Sequence, residues 1–270
     1  PLQSMLDAGD YFLRKQNRSL GIDDTEKIKI AIKSMGLDEL GPFDPNKKII
    51  EYVMRDGESK RLVDMELTQF ADMTAGESPA PGGGSVSAYV GSLGAALGTM
   101  VANLSSHKRG WDDRWEEFSD WAAIGQKYKD VLLHYVDEDT AAFNKIMDAF
   151  GLPKKSDEEK VARKEAIENA SKYAMEIPFK VMETSFKSME VMKAMAEIGN
   201  QNSVSDAGVG ALCALAAVEG AYLNVKINAS GIDDKEFTSD LVNRGAEIAT
   251  KAKECRDAII NTVDNKISEL

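Results

Sequence analysis

A turn rich in glycine and proline, followed by a long uncharged segment, constrains this fold more than any other stretch of the chain. Residues 78–85 contain two prolines and three consecutive glycines, which cannot belong to the interior of a helix. Residues 86–104 carry no charge and no proline, and they are rich in Ala, Leu and Val. The pattern predicts a turn that leads into a buried helix, enclosed by other helices.

The glycine turn is also the first candidate for a binding site. Gly82, Gly83 and Gly84 free the backbone to point several N–H groups one way. The first turn of the helix, with Ser85, adds unpaired donors and the positive end of the helix dipole. A carboxylate or a carbonyl oxygen would fit such a pocket. The alternative is a loop that only lets two helices approach closely.

Composition narrows the classes of protein that this chain can represent. The chain has 270 residues, of which 43% are hydrophobic, so it can bury a substantial core. Its net charge of −12 and pI near 4.8 argue against general binding to nucleic acid or to an anionic membrane. Cys213 and Cys255 lack the spacing of metal ligands, and His107 and His134 are the only histidines. We therefore expect a reduced, cytoplasmic protein without a metal site.

The first residues and one long uncharged run bear on targeting to a membrane. Residues 1–5 lack a basic region followed by an apolar run, so we expect no signal peptide. Because residue 1 is Pro, we expect a fragment or a processed product. The uncharged run 79–106 is long enough to span a membrane, but its Gly, Ser and Asn content favours a helix enclosed by protein.

The first part of the chain differs from the rest. Residues 6–13 read as a short helix, and Asp23 is a plausible start for another helix over residues 27–35. Ile28, Ile30 and Ile32 alternate, however, which leaves a strand possible there. A short amphipathic piece follows at 46–53. The polar stretch 55–60 is the best boundary, which gives one unit over residues 1–57 and a second over 58–270.

The second unit reads as helical throughout. We predict helices at 63–71, 86–105, 111–150, 156–198, 205–228 and 231–267, with a kink at Pro178. The helices at 86–104 and 207–221 are rich in Gly, Ala and Ser, so they belong at the centre. The prediction is an all-α bundle of long antiparallel helices around these two buried helices, forming a homodimer.

Two aspartates are candidates for acid–base chemistry. Asp206 would lie in the first turn of a small-residue helix, beside Asn202 and Ser205, where its simplest role is to stabilise the helix start. Asp139 and Phe143, four residues apart, place a carboxylate and an aromatic ring on one helix face. Asp137 is expected on a solvated face. Lys108 and Arg109 follow the glycine helix and could attract a carboxylate tail.

Several motifs in collinear order resemble one enzyme family. The family comprises the formiminotetrahydrofolate cyclodeaminases and the related methenyltetrahydrofolate cyclohydrolases, and the resemblance covers about residues 63–270. The motifs are ESPAPGGGS at 77–85, MVANL at 100–104, DTAAF at 139–143, LPK at 152–154, IP at 177–178 and SVSD at 203–206. Residues 5–8 and 36–52 resemble the end of a glutamate formiminotransferase, so the arrangement implies a bifunctional formiminotransferase-cyclodeaminase.

The resemblance implies an ammonia-releasing reaction on a folate, in histidine degradation and one-carbon metabolism. N10 of 5-formiminotetrahydrofolate attacks the formimino carbon, and 5,10-methenyltetrahydrofolate and ammonia result. Positioning and one proton shuttle suffice, without a prosthetic group. We predict Asp206 as the acid–base group, Asp139 as the second candidate, and Gly82, Gly83, Gly84, Ser85, Asn202, Ser205 and Lys108 as substrate contacts.

Two other functions stay open at this point. One is a methenyltetrahydrofolate cyclohydrolase, which shares the family, and the formiminotransferase-like tail favours the cyclodeaminase over it. The other is a non-catalytic helical module that dimerises or orients the transferase. The expected partners are a folate, with or without a polyglutamate tail, the formiminotransferase domain and a second copy of the chain, but neither nucleic acid nor membrane.

Overall fold

Residues 1–54 and 61–269, which are the part of the chain that this computed structural model describes, contain ten α-helices and no strand. The predicted all-α class is therefore confirmed. The predicted boundary between residues 57 and 58 lies outside the described residues. The helices are α1 Leu2–Lys15, α2 Asp24–Ser34, α3 Pro45–Lys48, α4 Ile50–Val53, α5 Leu67–Ala75, α6 Gly83–Ser106, α7 Trp115–Gly151, α8 Asp157–Ile198, α9 Val204–Asn228 and α10 Lys235–Ser268.

The N-terminal helices α1 and α2 pack on each other around a small core of their own. Ile28 and Ile32, which are four residues apart and both buried, lie in this core with Met5. The possible strand at residues 28–32 is therefore wrong. The Asp23 carboxylate accepts a hydrogen bond from the Glu26 N–H and caps α2, so a local side-chain bond favours the helix.

The second unit is a bundle with α6 at its centre, in contact with α7, α8 and α9. Helices α6 and α9 are antiparallel, because Gly83 lies against Asn224 while Gly94 lies against Gly210. A Cβ atom on Gly94 would stand 2.8 Å from the Gly210 carbonyl oxygen. The small residues therefore let the two backbones touch, as expected for two central helices.

The long helices α7, α8 and α10 surround this pair. Ser156 and Glu159 form a capping box at the start of α8, which continues through the buried Pro178 to Ile198. The bend at Pro178 stays a prediction. Helix α5 begins four residues later than predicted, because residues 62–64 form a separate 3₁₀ turn.

The 3₁₀ turn is held by Asp137, which was expected on a solvated face. The Asp137 Oδ1 atom accepts a hydrogen bond of 2.6 Å from the Leu62 N–H. Burial raises the pKa of the Asp137 carboxyl group, and the hydrogen bond from Leu62 opposes that rise. The Asp137 carboxylate thus binds a backbone N–H group and anchors the chain segment that enters the bundle.

The N-terminal unit docks on the bundle through backbone groups of residues 19–21. The Leu20 N–H donates to Ser119 Oγ at 3.0 Å, and Asn103 Nδ2 donates to the Gly21 carbonyl at 2.7 Å. The Ser19 N–H donates to His107 Nε2 at 3.1 Å. The contact is close, because a Cβ atom on Gly21 would stand 2.2 Å from the Ala122 Cβ.

One side of the α6/α9 pair is not covered by residues 1–54 and 61–269, the part of the chain that the structure describes. Large apolar side chains stand exposed along it, and we call these seven residues the apolar face: Leu93, Met100, Leu104, Val209, Leu212, Leu223 and Ile227. They recur along α6 and α9 at spacings that keep them on one side of each helix. The two central helices are therefore buried on their inner faces only, in contrast to the full enclosure that we predicted.

Two stretches, Gly83–Ser106 and Gln201–Gly231, are long and apolar enough to cross a membrane. Within the fold, 61% and 50% of their most apolar windows are buried. The core helices of a helical bundle have the same length and composition, so this property alone is weak support for a membrane span.

Candidate active site

The glycine turn forms the start of α6 and one wall of a cleft. Gly82 is the N-cap residue in an extended conformation, and no side chain caps the helix. The N–H groups of Gly83 and Gly84 therefore receive no capping bond from the N-cap residue, and the positive end of the helix dipole lies at the cleft. A negatively charged or carbonyl group suits this position.

Helix α7 places the carboxylate of Asp139 directly against this turn. The Ser85 Oγ atom donates a hydrogen bond of 2.9 Å to Asp139 Oδ2. A Cβ atom on Gly84 would stand 2.1 Å from Asp139 Oδ1, which is closer than any real contact. Glycine at position 84 is thus required for the carboxylate to reach the helix start.

Burial raises the pKa of Asp139 above its ordinary value. The hydrogen bonds from the Ser85 hydroxyl group and the Ser85 backbone N–H act in the opposite direction, because they stabilise the charged carboxylate. The net direction is upward, so the group binds its proton more tightly than an exposed aspartate. A carboxyl group whose pKa is raised in this way is better suited to take up and release a proton than an exposed aspartate.

The cleft itself is small, with a volume of about 150 Å³. Sites for drug-sized ligands measure roughly 300–1,000 Å³. The cleft can therefore take a small reacting group, while the rest of a larger ligand lies outside it. Its lining residues are Pro79, Ala80, Gly82, Gly83, Gly84, Asp139, Thr140, Phe143, Ile146, Ala174, Asn224 and Asn228.

Asn224 and Asn228 of α9 also line the cleft, and sequence reasoning missed both. The Asn224 Nδ2 atom donates to the Gly220 carbonyl, and Asn228 Nδ2 donates to the Ala174 carbonyl. Both residues lie at the end of a small-residue helix, far from the glycine turn in sequence. Only the antiparallel packing of α6 and α9 brings them to the cleft, so no local signal could have found them.

The structure brings together one group of predicted site residues and leaves a second group apart. Gly82, Gly83, Gly84, Ser85 and Asp139 meet at the cleft, and Phe143 lines it as expected from its spacing. The other predicted residues lie at the opposite end of the bundle and are Lys108, Asn202, Ser205 and Asp206.

Asp206 lies in the first turn of α9, as predicted, and is half-buried. With a rise of about 1.5 Å per residue, it stands about 27 Å along α9 from Asn224 at the cleft. Lys108 follows the far end of α6, where its Nζ atom lies 4.1 Å from the centre of the Trp111 ring. Within one chain, these residues and the cleft cannot contact the same small group.

Comparison with known proteins assigns this chain to a protein family. Residues 66–247 match the profile of the family described as formiminotransferase-cyclodeaminase, and residues 1–55 match that of the formiminotransferase domain. The chain belongs to the formiminotransferase-cyclodeaminase family. The resemblance that the sequence motifs indicated is thereby confirmed.

The matches to individual relatives extend over different shares of this chain. The formimidoyltransferase-cyclodeaminase of Gallus gallus is 38% identical over 92% of the chain and 47% of the relative. The methenyltetrahydrofolate cyclohydrolase of Methylorubrum extorquens is 34% identical over 75% of the chain and 97% of the relative. The chain thus spans about half the length of the formimidoyltransferase-cyclodeaminases that it matches.

A solved structure has the same fold. The formiminotetrahydrofolate cyclodeaminase of Thermotoga maritima superposes with a TM-score of 0.66 at 28% sequence identity. The similarity covers 75% of this chain and 98% of the other chain.

Proposed function

We propose that this family member is a formimidoyltetrahydrofolate cyclodeaminase of the ammonia-lyase type. It would convert 5-formiminotetrahydrofolate to 5,10-methenyltetrahydrofolate and ammonia, within histidine degradation and one-carbon metabolism. The observation that carries the proposal is the half-buried Asp139 carboxyl group, held by Ser85 at a helix start whose N-cap residue is glycine. The cyclodeaminases among the relatives support the choice of substrate.

The proposed mechanism needs one proton shuttle. N10 of the folate attacks the carbon of the protonated formimino group, whose C=N electron pair moves to nitrogen and leaves an amino group there, and a five-membered ring closes. The Asp139 carboxylate takes the proton that N10 loses and, as the acid, gives it to the amino group on the same carbon. Ammonia then leaves as the N5 lone pair forms the N5=C bond, which yields the methenyl cation. The cleft takes the one-carbon unit, and the rest of the folate lies outside.

The backbone N–H groups in the first turn of α6 are the second part of the site that we propose to assist the proton transfer. Their positive dipole end stabilises the Asp139 carboxylate after it has given up its proton, which keeps the shuttle reversible. Gly82, Gly83, Gly84 and Ser85 remain proposed substrate contacts. The Ser85 hydrogen bond holds the Asp139 carboxylate at the helix start, so the site is preorganised for the proton transfer.

We further propose a homodimer that forms through the apolar face. A twofold axis across the middle of this face reverses the direction of α6 and α9 in the second copy. The end of the bundle that carries Asn202, Ser205, Asp206 and Lys108 would then lie near the cleft of the other copy. In this arrangement Asp206 is a second acid–base candidate, contributed by the partner chain.

The alternative function is a methenyltetrahydrofolate cyclohydrolase, which the relative in Methylorubrum extorquens supports. The match of residues 1–55 to the formiminotransferase domain favours the cyclodeaminase, because a formiminotransferase would supply the formimino folate. A non-catalytic assembly module accounts for the apolar face, but it gives no reason for a buried carboxyl group at the glycine turn.

The proposed partners are the folate, with or without a polyglutamate tail, and the formiminotransferase domain. The proposed compartment is the cytoplasm, consistent with two free cysteines, and no prosthetic group is required by the mechanism. The net charge of −12 gives no support for nucleic acid or an anionic membrane as partners.

The test is an assay of the purified protein with 5-formiminotetrahydrofolate. Methenyltetrahydrofolate absorbance and ammonia are followed together, and equal amounts of both products are expected. Hydrolysis of methenyltetrahydrofolate without any turnover of the formimino folate would instead favour the cyclohydrolase. Activity in neither assay, from a folded protein, would favour the assembly module.

A mixing experiment tests the position of Asp206. Asp139→Asn and Asp206→Asn proteins are each expected to lose activity, and dissociation and reassociation of a mixture should form mixed dimers. If each site combines Asp139 of one copy with Asp206 of the other, every mixed dimer contains one intact site. Inactivity of the mixture, with mixed dimers present, would remove Asp206 from the proposed site.

A further inference from the structure

We infer that Asn224 makes the cleft selective for an imino nitrogen over a carbonyl oxygen at the one-carbon unit of the folate. The inference rests on the proposed function and extends it to a residue that determines specificity. It begins from the orientation of one side-chain amide at the wall of the cleft.

Asn224 lies on α9, opposite the start of α6. A Cβ atom on Gly83 would stand 3.2 Å from the Asn224 Nδ2 atom and 3.6 Å from its Oδ1 atom. The absence of a side chain at position 83 therefore leaves room for the Asn224 amide beside the first turn of α6. The next residue, Gly84, gives the same room to the Asp139 carboxylate, so the two side chains flank the first turn of α6.

The orientation of the Asn224 amide is fixed by its partner. The Nδ2 atom donates a hydrogen bond of 2.9 Å to the Gly220 carbonyl, one turn earlier in α9. A carbonyl oxygen only accepts hydrogen bonds, so the amide nitrogen and not the oxygen must point at it. The Asn224 Oδ1 atom is thereby committed as an acceptor, and within residues 1–54 and 61–269 no hydrogen bond to it is formed.

An acceptor at this position distinguishes two chemical groups of the same size. A formimino group ends in a nitrogen that carries N–H bonds, and one of them can be donated to the Asn224 Oδ1 atom. A formyl group ends in an oxygen without a proton, which would place two acceptors against each other. A site that is built to accept a hydrogen bond rejects an analogue that lacks the donor, because the acceptor is then left unpaired.

The contact also gains strength as the reaction proceeds. The leaving nitrogen takes a proton from Asp139 and becomes more positive, so its N–H groups become better donors. The hydrogen bond to Asn224 is therefore stronger when the amino group leaves than in the bound substrate, and such interactions accelerate a reaction.

The test compares two ligands in Asn224→Ala protein. The substrate is 5-formiminotetrahydrofolate, and the probe is 5-formyltetrahydrofolate, used as an inhibitor. We expect kcat/KM for the formimino folate to fall about ten- to a hundred-fold, while the inhibition constant of the formyl folate stays the same or decreases.

Each outcome separates this inference from its alternatives. If Asn224 had a purely structural role, the substitution would weaken the binding of both ligands alike. The preference for the formimino folate over the formyl folate would then be unchanged, which would overturn the inference and leave the proposed function intact. Absence of turnover in the wild-type protein would overturn both. Asn243→Ala, the same change at an exposed position on α10, is the matched control and should leave both constants unchanged.

Discussion

Partial burial of the Asp139 carboxyl group lowers the stability of the folded state when the group is ionised. Because its pKa is raised in the folded protein, the folded state binds the proton more tightly than the unfolded state does. Stability contributed by the protonated form is therefore present at low pH and is lost as pH rises through the raised pKa. At neutral pH the protein retains a group that is useful for chemistry at the expense of stability.

Replacing Asp139 by Asn should separate these two effects. The Asn side chain retains an oxygen that can accept the Ser85 hydrogen bond, but it removes the charge and the proton shuttle. We expect turnover to fall by about 10²–10⁴, which is typical for loss of acid–base catalysis. The melting temperature at pH 7 should rise or stay unchanged. Retained turnover would exclude Asp139 as the shuttle, and a large loss of stability would contradict the raised pKa.

Gly84→Ala tests the close contact between the glycine turn and α7. The added Cβ atom would stand 2.1 Å from Asp139 Oδ1, so the carboxylate must move. We expect a loss of about 1–3 kcal/mol in the free energy of unfolding, as for other overpacked sites, measured by urea denaturation. Gly82→Ala is the matched control, because its Cβ atom would meet only the Pro79 carbonyl at 3.7 Å. Equal effects of the two changes would contradict the packing described.

At the scale of whole elements, His107 joins α6 to the N-terminal unit. Its Nε2 atom accepts the Ser19 N–H, which requires the neutral ring. Burial, aided by the positive charge of Arg18, lowers the pKa of His107. A lowered pKa means that the contribution of His107 to docking is present above its unfolded pKa and is lost as pH falls below that value.

We therefore expect acid to loosen the docking of the N-terminal unit. Hydrogen exchange at the Ser19 amide, corrected for the intrinsic pH dependence, should become less protected between pH 7 and pH 5. His107→Gln should show reduced sensitivity to pH over this range. His134→Gln, at a second histidine without this contact, is the control and should retain the wild-type response. An identical response in both variants would assign the effect to other groups.

The helices themselves were largely predictable from the sequence. The capping box at Ser156, the glycine turn and the breaks near Gly151 and Gly199 mark helix ends by local chemistry, and the helices begin or end within a few residues of these signals. The prediction failed where a distant group decides local structure. The 3₁₀ turn at residues 62–64 depends on Asp137, which is 75 residues away in sequence.

The candidate site was predictable only in part, for the same reason. Gly82, Gly83, Gly84 and Asp139 stand in local motifs, and burial brings them together at the cleft. Asn224 has no such motif, because its place depends on the direction in which α9 crosses α6. The separation of Asp206 from the cleft has the same origin, since local sequence does not give the distance between two helix ends.

At the scale of the whole molecule, the apolar face predicts self-association. Seven large apolar side chains exposed on two adjacent helices form an unusual surface for a monomer. Leu212→Lys places a charge near the middle of that face and should shift the protein to monomers in light scattering. Val161→Lys changes an equally apolar, exposed residue on α8 and is the control. A dimer that survives Leu212→Lys would place the interface elsewhere.

The missing cap at the start of α6 has a consequence for how the protein responds to its ligand. The sequence offers three glycines where most helices offer a side chain, so the helix lacks a capping residue of its own. Asp139 accepts the Ser85 N–H, and a substrate group that accepts hydrogen bonds from the Gly83 and Gly84 N–H groups would complete the cap with a molecule that the chain does not encode. Occupancy should then appear as slower hydrogen exchange at Gly83 and Gly84, before any product is formed.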